Sequence, residues 1–573
     1  MNRLDTDVLV LGAGGAGLFA ALHAKKANPD LDVTIAVKGL LGKCGCTRMV
    51  QGGYNVALDP RDSIERHFMD TIEGGGWLNH QDLAWLLVTT APVRIRELET
   101  ELGCFFDRNA DGTVHQKAFA GQTFDRTVHK GDLTGIEIIN RLAEQTWRRD
   151  VRRLEDHRAL DFLPAADGSG LAGVLMLDMR SGEPLVVRAR ATLLATGGGP
   201  TMYKYHTPSG DKSCDGMAMA LRAGLPLRDM EMVQFHPTGL LAGEGTRMTG
   251  TVLEEGLRGA GGWLTDVNGR RFMTDYDKRG ERATRDIVSR AIMDRVRKGH
   301  ASPHGGVWIS MGHLGADNVR REFKGMVERC ADCGFDLAAG RVEVIPTAHY
   351  MMGGVVFAPD CTTPMPRLYA AGEDTGGVHG ANRLGGNGVA NSTVFGGLAG
   401  DTIGARTRRD GALPEPDKAA LDQATARALA PLGKKSGHLP GIRQKLYDTM
   451  WDDVGILRTA QSLARGRAAL DDLARELADS GVAGDDRRYN LTWMDRLNLE
   501  NLVLVSRAIC AAADARCDSR GAHFREDFPG MPDLSSSRYT LVRNVNGDLA
   551  VTTEAVEFTR VRPGETLVPA AAE

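Results

Sequence analysis

Long apolar runs are missing from this chain. None approaches the ~18 residues that a membrane-crossing helix requires, so no direct membrane span is expected. Charge of one sign is missing too. Lys and Arg number 70 and Asp and Glu 74, a formal net charge of −4, which excludes general attraction to nucleic acid or to an anionic membrane. Clustered cysteine is absent as well. The nine cysteines are scattered and odd in number, which argues for a reducing compartment and against a disulfide framework. No spacing suits an iron–sulfur cluster, and there is no C-x-x-C-H for haem. Cys330 and Cys333 form a lone C-x-x-C with no second pair nearby, and two ordinary thiols are the favoured reading over a zinc or redox site, so no metal is expected. The start, MNRLDTDVLVLGAGGAG, has no basic segment and no cleavage site, which makes the cytoplasm the expected location.

Glycine, in contrast, is abundant: 70 of 573 residues, about 12% against a usual ~7%. The glycines gather as GAGGAG, EGGGW, ATGGG, MMGG and RLGGN. Such clusters let backbone approach a ligand closely or turn with positive φ, and several of them imply one large ligand touched from many segments. The length predicts about three or four domains. With 42% apolar and 25% charged residues the composition is that of a soluble globular protein.

Val8 to Leu11 is a short apolar run ending in Gly12. A helical stretch follows from Leu18 to Ala27, then a second apolar run from Val33 to Val37, giving strand, glycine turn, helix, strand. Residues 173–195 predict a hairpin turning at Ser181-Gly182 and then a buried strand. Residues 236–349 lack that pattern and carry many charges, which marks an inserted domain. Glycine-rich strand signals return from Met351 to Asn387. TRRDGALPEPD, 407–417, reads as a linker. Helical periodicity follows at Leu470, Leu473 and Leu477 and from Leu502 to Ile509. The last forty residues are weakly patterned.

Gly12, Gly14 and Gly17 form G-x-G-x-x-G between strand and helix. The first glycine makes the tight turn, the second admits a pyrophosphate and the third packs helix on strand. The motif alone is weak evidence, and its strand–turn–helix setting is what makes it informative. The second strand ends in Val37-Lys38, where an acidic ribose ligand is usual.

A lysine at that strand end is similar to the fumarate reductase, succinate dehydrogenase and L-aspartate oxidase family. The resemblance continues through Cys46 to Gly53 (CTRMVQGG), DTIEGGGWLNHQD (70–82), RTVHKGDLTG (126–135), ATGGG (195–199), EMVQFHPTG (231–239), EEGLRGAGG (254–262) and RATRDIVSRAI (282–292). It extends to PTAHYMMGG (346–354), AAGEDTGGVHGANRLGGN (370–387) and SRGAHFREDFP (519–529), roughly residues 5 to 530 in all. It implies an α/β fold. A Rossmann-like FAD-binding domain would span 1–235 and 350–412, with an inserted α+β capping domain at 236–349, a helical domain at 413–530 and a C-terminal tail at 531–573. It also implies FAD, held by Gly12, Gly14, Gly17, Lys38, Thr47, Gln51, Gly52, Gly53, Thr196, Gly197, Asp215, Glu373, Arg383 and Asn387. Glu373 is assigned to the ribityl chain, with a helix-capping carboxylate as the competing role. Gly385, Gly386 and Asn387 would bring backbone and a helix N-terminus to the flavin pyrimidine.

The chemistry implied is hydride transfer between flavin N5 and one carbon of a C–C bond, with a proton moving at the next carbon. That requires cationic clamps for carboxylates, a proton donor and exclusion of water. The residues matching the family motifs are His236, Glu255, Arg258, Arg285, His349 and Arg383. Arg383 offers a planar fork for a carboxylate. Arg285 resembles the family's proton donor, with Glu255 and Arg258 as the relay; the competing role for Arg285 is an ion pair with Asp286. Phe119 and Glu254 complete the substrate-binding set. Succinate-type enzymes carry phenylalanine where Phe119 stands and L-aspartate oxidases carry glutamate, while a core aromatic is its plainer role.

Three positions depart from the family. Cys46 replaces the histidine that bonds covalently to flavin in many membrane-bound members, so non-covalent FAD is expected, which disfavours succinate oxidation. Glu254 replaces a threonine that binds a substrate carboxylate. It either pairs with an arginine such as Arg247 or Arg258, is protonated, faces a substrate altered at that end, or turns to the surface. Ala260 replaces a glutamate. The resemblance therefore implies a dicarboxylate or related acid as substrate and an iron–sulfur protein or other electron acceptor as partner, with a location peripheral to a membrane complex as one arrangement. The alternatives are a stand-alone oxidase of amino-dicarboxylates or their N-substituted analogues, and a non-catalytic FAD scaffold. The intact site residues put the scaffold last.

Overall fold

A computed structural model describes residues 1–243, 246, 248–484 and 486–569. Its centre is a seven-stranded sheet. Strand Asn2–Leu11 is buried from Thr6 onward and lies parallel to Val33–Val37 and to Glu183–Leu194, with Leu11 opposite both Ala36 and Leu194. Strands covered on both faces need continuous apolar residues, which is how Val8–Leu11 and Val33–Val37 read. Val151–Glu155 extends the parallel side. Leu171–Asp178 and His157–Pro164 add antiparallel strands at the other side, and the expected turn at Ser181-Gly182 joins the first of these to Glu183–Leu194. Leu368–Ala370 then returns in parallel beside Glu183–Leu194.

The first helix is Gly15–Ala27, three residues longer at its start than its apolar periodicity suggests. Gly14 stands at its N-cap and Gly17 in its first turn. Gly12 has φ +106°, and a Cβ there would stand 2.1 Å from the Ala195 carbonyl oxygen, while one on Gly17 would stand 2.0 Å from the Gly12 oxygen. Helix Asn387–Arg406 packs on this helix along a glycine stripe. Cβ atoms on Gly396 and Gly400 would come within 2.6 and 2.4 Å of the Ala16 and Ala20 oxygens. Spacing of four residues keeps both on one helix face, and much of the glycine surplus serves such backbone approach.

Residues between 240 and 344 enclose a second apolar core built from Leu240, Leu257, Leu264, Val288, Ile292, Ile309 and Val344 among others. Its antiparallel sheet runs Val233–Leu240, Arg341–Met351, Val307–Ser310, Trp263–Thr265. Helices Lys418–Leu429, Leu439–Asp452, Ala460–Asp479 and Leu491–Ala515 follow, and Thr459 and Ser462 form a capping box at the start of the third. The weakly patterned end is not an unstructured tail. Arg538–Val545 and Asp548–Ala555 form an antiparallel hairpin that joins Leu227–Arg228 and Gly354–Val355 in a four-stranded sheet.

Candidate active site

Two strands of the second sheet carry the histidines, and irregularities in their pairing aim them. Gln234 pairs with Tyr350 and Phe235 with Ala348, so His349 is an extra residue; a further shift falls between His236 and Gly239, around Pro237. Bulges of this kind redirect side chains beside functional sites. His349 Nδ1 meets Thr207 Oγ1 at 2.7 Å, leaving Nε2 for a ligand. The His236 and His349 rings meet edge-on at 5.4 Å. Burial pushes both well below the ordinary histidine pKa, with Arg285 and Arg383 nearby reinforcing it, so both rings are neutral.

Arg285 begins helix Arg285–Arg297. Its Nη2 donates to Glu255 Oε2 at 2.7 Å and its Nη1 to Gln234 Oε1 at 2.9 Å. Behind it, Arg258 Nη2 donates to Glu255 Oε1 at 2.9 Å. Burial pushes the Glu255 carboxyl up, but Arg285 and Arg258 on either side hold it below its usual range. The result is a buried Arg258–Glu255–Arg285 chain. The expected alternative, Arg285 with Asp286, does not form; Asp286 faces Arg290 at 3.4 Å. Arg383 Nη2 donates to the same Gln234 oxygen at 3.0 Å, and its guanidinium lies 4.5 Å from the Tyr350 ring centre. Burial, with Arg285 beside it, brings its pKa down to about 10.

Of these, His236, Glu255, Arg285, His349 and Arg383 line one end of a cavity of ≈570 Å³ whose other end is lined by Gly12, Gly14, Gly15 and Lys38. At that end the helix Gly15–Ala27 starts from Gly14 without a side-chain cap. Its first N–H groups therefore suit a phosphate. Thr47 Oγ1 accepts from Gly15 N at 3.0 Å. Lys38 Nζ donates to Asp215 Oδ2 at 2.6 Å, and Arg158 also binds Asp215 at 2.7 Å. Burial opposes ionisation of Asp215, but Arg158 and Lys38 hold it well below the usual carboxylate range. Midway along the cavity stand Thr196, Gly197 and Glu373. Burial lifts the Glu373 carboxyl to about 7 against one N–H bond from Met351. A long cavity with a phosphate cradle at one end and cations at the other fits an extended dinucleotide plus a small acid.

Residues 7–389 match the FAD binding domain family, and residues 443–568 match the fumarate reductase flavoprotein C-terminal family. A subunit of the CoM/CoB fumarate reductase of Methanothermobacter marburgensis is 40% identical over 528 residues, covering 92% of this chain and 95% of that one. The chain belongs to the fumarate reductase and succinate dehydrogenase flavoprotein family. The fumarate reductase flavoprotein subunit of Escherichia coli is 33% identical over 591 residues, with 99% and 96% covered. Among solved structures, a variant of the E. coli quinol fumarate reductase chain FrdA superposes with TM-score 0.92 at 32% identity, covering 99% of each chain. Sdh1 of Mycobacterium smegmatis in complex with UQ1 gives 0.86 at 34%, covering 98% of this chain and 96% of that one. This family member is an FAD-dependent oxidoreductase of the CH–CH type. Among its described residues no helix is long and apolar enough to cross a membrane, and no group of side chains is placed to hold a metal ion.

The family fold brings nearly all the expected residues to one cavity. Gly12, Gly14, Lys38, Thr47, Gln51, Gly52, Gly53, Phe119, Thr196, Gly197, Asp215, His236, Glu254, Glu255, Arg285, His349, Glu373 and Arg383 all line it. Three do not. Gly17 packs beneath the turn, and Arg258 is fully buried one step behind Glu255. The Asn387 side chain is turned into a buried network with Asn55 (2.9 Å), His67 (3.1 Å) and Thr71 (3.2 Å), while its neighbours Gly386 and Gly388 line the cavity. Glu254 is also corrected. It is buried rather than turned to the surface, Arg258 is taken by Glu255, and its nearest cation is Lys117 at 3.6 Å. Arg247 lies outside the described residues. Sequence reading missed Gln234, whose one oxygen holds both Arg285 and Arg383. It also missed Thr207, Lys117 and Arg329, the last of which meets the Gln51 amide oxygen at 3.0 Å once that amide is oriented to suit it. Gln234 lay inside a matched motif; the other three carry no local signal.

Proposed function

We propose that this protein interconverts the C–C single and double bonds of a four-carbon carboxylic acid, with Arg285 as the proton donor. The observation that carries the reading is the buried Arg258–Glu255–Arg285 chain ending on the cavity beside Arg383, His236 and His349. When bound, FAD supplies hydride acceptance and donation. Arg383 and His349 grip a carboxylate, and neutral His236 offers a hydrogen bond without adding charge. Arg285 gives its proton from Nη2 to the substrate carbon and regains one through Glu255 Oε2, with Arg258 supplying Glu255 in turn. An ordinary arginine resists this, because its reference pKa exceeds ~12. The carbanion to be protonated is strongly basic, and that basicity is what lets a guanidinium surrender a proton to it. Gln234 positions both guanidinium groups through one oxygen.

Phe119 walls the site against Gly52 and Gly385 and takes the part that phenylalanine has in the succinate-type reading. Residues 236–349 serve as the cap that excludes water. FAD is held non-covalently, a reading supported by Cys46, whose thiol burial pushes up to about 12 and so leaves it a poor nucleophile. Electrons exchange with an iron–sulfur protein or another carrier, since the chain has no cluster spacing of its own and its relatives are named as subunits. Nine free cysteines support a cytoplasmic setting. The test is anaerobic flavin spectroscopy: fumarate should reoxidise the chemically reduced flavin, or succinate bleach the oxidised one. Absence of any spectral response to four-carbon acids would defeat the reading.

A further inference from the structure

Each histidine of the cavity is fixed through one ring nitrogen, and the bond made there decides what the other nitrogen can do. His236 Nδ1 receives the backbone N–H of Thr238 at 3.4 Å. A backbone N–H can only donate, so this Nδ1 accepts. The Thr238 hydroxyl spends its own proton on the Leu253 carbonyl at 2.9 Å. Burial keeps the ring neutral, and a neutral ring with an accepting Nδ1 carries its proton on Nε2.

On His349 the partner of Nδ1 is the Thr207 hydroxyl, 2.7 Å away. That hydroxyl has no other hydrogen-bond partner among the described residues, so Nδ1 is the acceptor for its proton. A bond running the other way, from ring to oxygen, would leave the hydroxyl proton without an acceptor. Backbone holds the pair in place. Thr207 N–H donates to the Ala348 carbonyl at 2.9 Å and Ala348 N–H to the Tyr205 carbonyl at 2.8 Å, about a parallel bridge between His206 and Ala348. The bulge that inserts His349 into its strand is therefore clamped by the segment that carries Thr207. Burial keeps this ring neutral too. Neither Nε2 has a partner among the described residues and neither is fully enclosed, so both open on the cavity that the rings line.

We propose that Thr207 is a positioning residue: its hydroxyl sets the tautomer and the rotation of His349, so that His349 Nε2–H, like His236 Nε2–H, is an uncharged donor aimed at the substrate. The inference rests on the function proposed above, in which His349 grips a carboxylate. Carboxylate oxygens only accept. A ring with its lone pair on Nε2 would repel them, whereas one with its proton there binds them without adding a buried charge to the empty site. Thr207 acts through the ring and on no reacting atom.

The test begins with long-range proton–nitrogen correlation spectra of the FAD-loaded protein carrying isotope-labelled histidine, with the His349 signals identified by their loss in His349→Gln. The unaltered protein should show a protonated Nε2 and a bare Nδ1 on His349. A protonated Nδ1 overturns the inference. Thr207→Val keeps the shape of the side chain and removes the hydroxyl, while Thr207→Ser keeps the hydroxyl. Thr207→Val should lose the single tautomer and raise KM for fumarate, and the Kd of succinate read by flavin difference absorbance, by about 3–10-fold, the value of one ordinary hydrogen bond. The loss should fall on KM rather than kcat, because the gripped carboxylate is bound alike before and during reaction. Flavin content should stay unchanged, and Thr207→Ser should restore both spectrum and binding. An unchanged His349 spectrum in Thr207→Val, or equal binding by the valine and serine variants, overturns the inference and leaves the general function standing. If the unaltered protein binds no four-carbon acid, the function proposed above fails, and the nitrogen spectra still decide the tautomer.

Discussion

Arg285 is bound on both arms of its fork, to Glu255 and to Gln234. Lysine keeps the charge but has no second arm, so it cannot hold both contacts while aiming at a substrate carbon. Arg285→Lys is expected to retain stoichiometric FAD and to lose about 100-fold or more in kcat, the size associated with a positioned proton donor. Steady-state rates with the flavin content measured alongside would check this, and a near-normal rate would remove Arg285 from proton transfer. At Cys46 the prediction concerns the cofactor. Acid or heat denaturation should release all the FAD into the supernatant, because desolvation raises the half-buried Cys46 thiol to about 12 and keeps it protonated near neutrality. Flavin fluorescence that migrates with the denatured chain on a gel would make Cys46 the suspect for a covalent bond.

The element proposed to seat the cofactor's phosphates is the turn between strand Asn2–Leu11 and helix Gly15–Ala27. Its tolerance is small, because Gly12 combines a φ of +106° with a Cβ position 2.1 Å from the Ala195 oxygen. Gly12→Ala should therefore cut the bound FAD to below about a tenth of stoichiometric, or abolish soluble expression. Gly168 also has positive φ, +71°, but nothing lies within 4 Å of its Cβ position. Gly168→Ala is the control and should keep its flavin; absorbance at the flavin band relative to protein distinguishes the two. Equal flavin content in both variants would show that strain rather than the phosphate turn governs the result. The bulge at His349 is a feature of another kind. Alternating residues of PTAHYM would place His349 on the face opposite Tyr350, and only the pairing of Phe235 with Ala348 rather than with His349 reveals the extra residue.

Across the whole molecule, buried histidines set the acid limit. Burial lowers His67 to about 3 and holds His236, His349, His379 and His523 well below the ordinary value. All five are neutral in the folded chain and bind protons below ~6.5 once unfolded, so stability falls as pH drops through that value. Each contributes a slope of up to about 1.4 kcal/mol per pH unit. Asp229 and Glu373 near 7 and Asp374 near 6 act oppositely, holding protons in the folded state, and offset part of this. His129, lowered to about 4, and His80 and His206, also lowered, add to the histidine side while His23, raised, opposes it; the histidine majority predicts a melting temperature several degrees lower at pH 5.5 than at pH 7.5, checked by calorimetry of the FAD-loaded protein. A flat or rising profile would contradict the assignment of neutral histidines. By itself the sequence determined the dinucleotide turn, the family, the cofactor and most of the residues that line the candidate site, because each is a short-range pattern: glycines at fixed spacing, an apolar run, a charged motif. The tertiary structure alone decided the partners. Gln234 and Arg285, His349 and Thr207, Glu254 and Lys117 are separated by 51, 142 and 137 positions. The Asn387 amide is likewise held by three distant residues, Asn55, His67 and Thr71. Which side chains meet depends on how bulged strands and packed helices fold back on one another, and local periodicity carries no record of that.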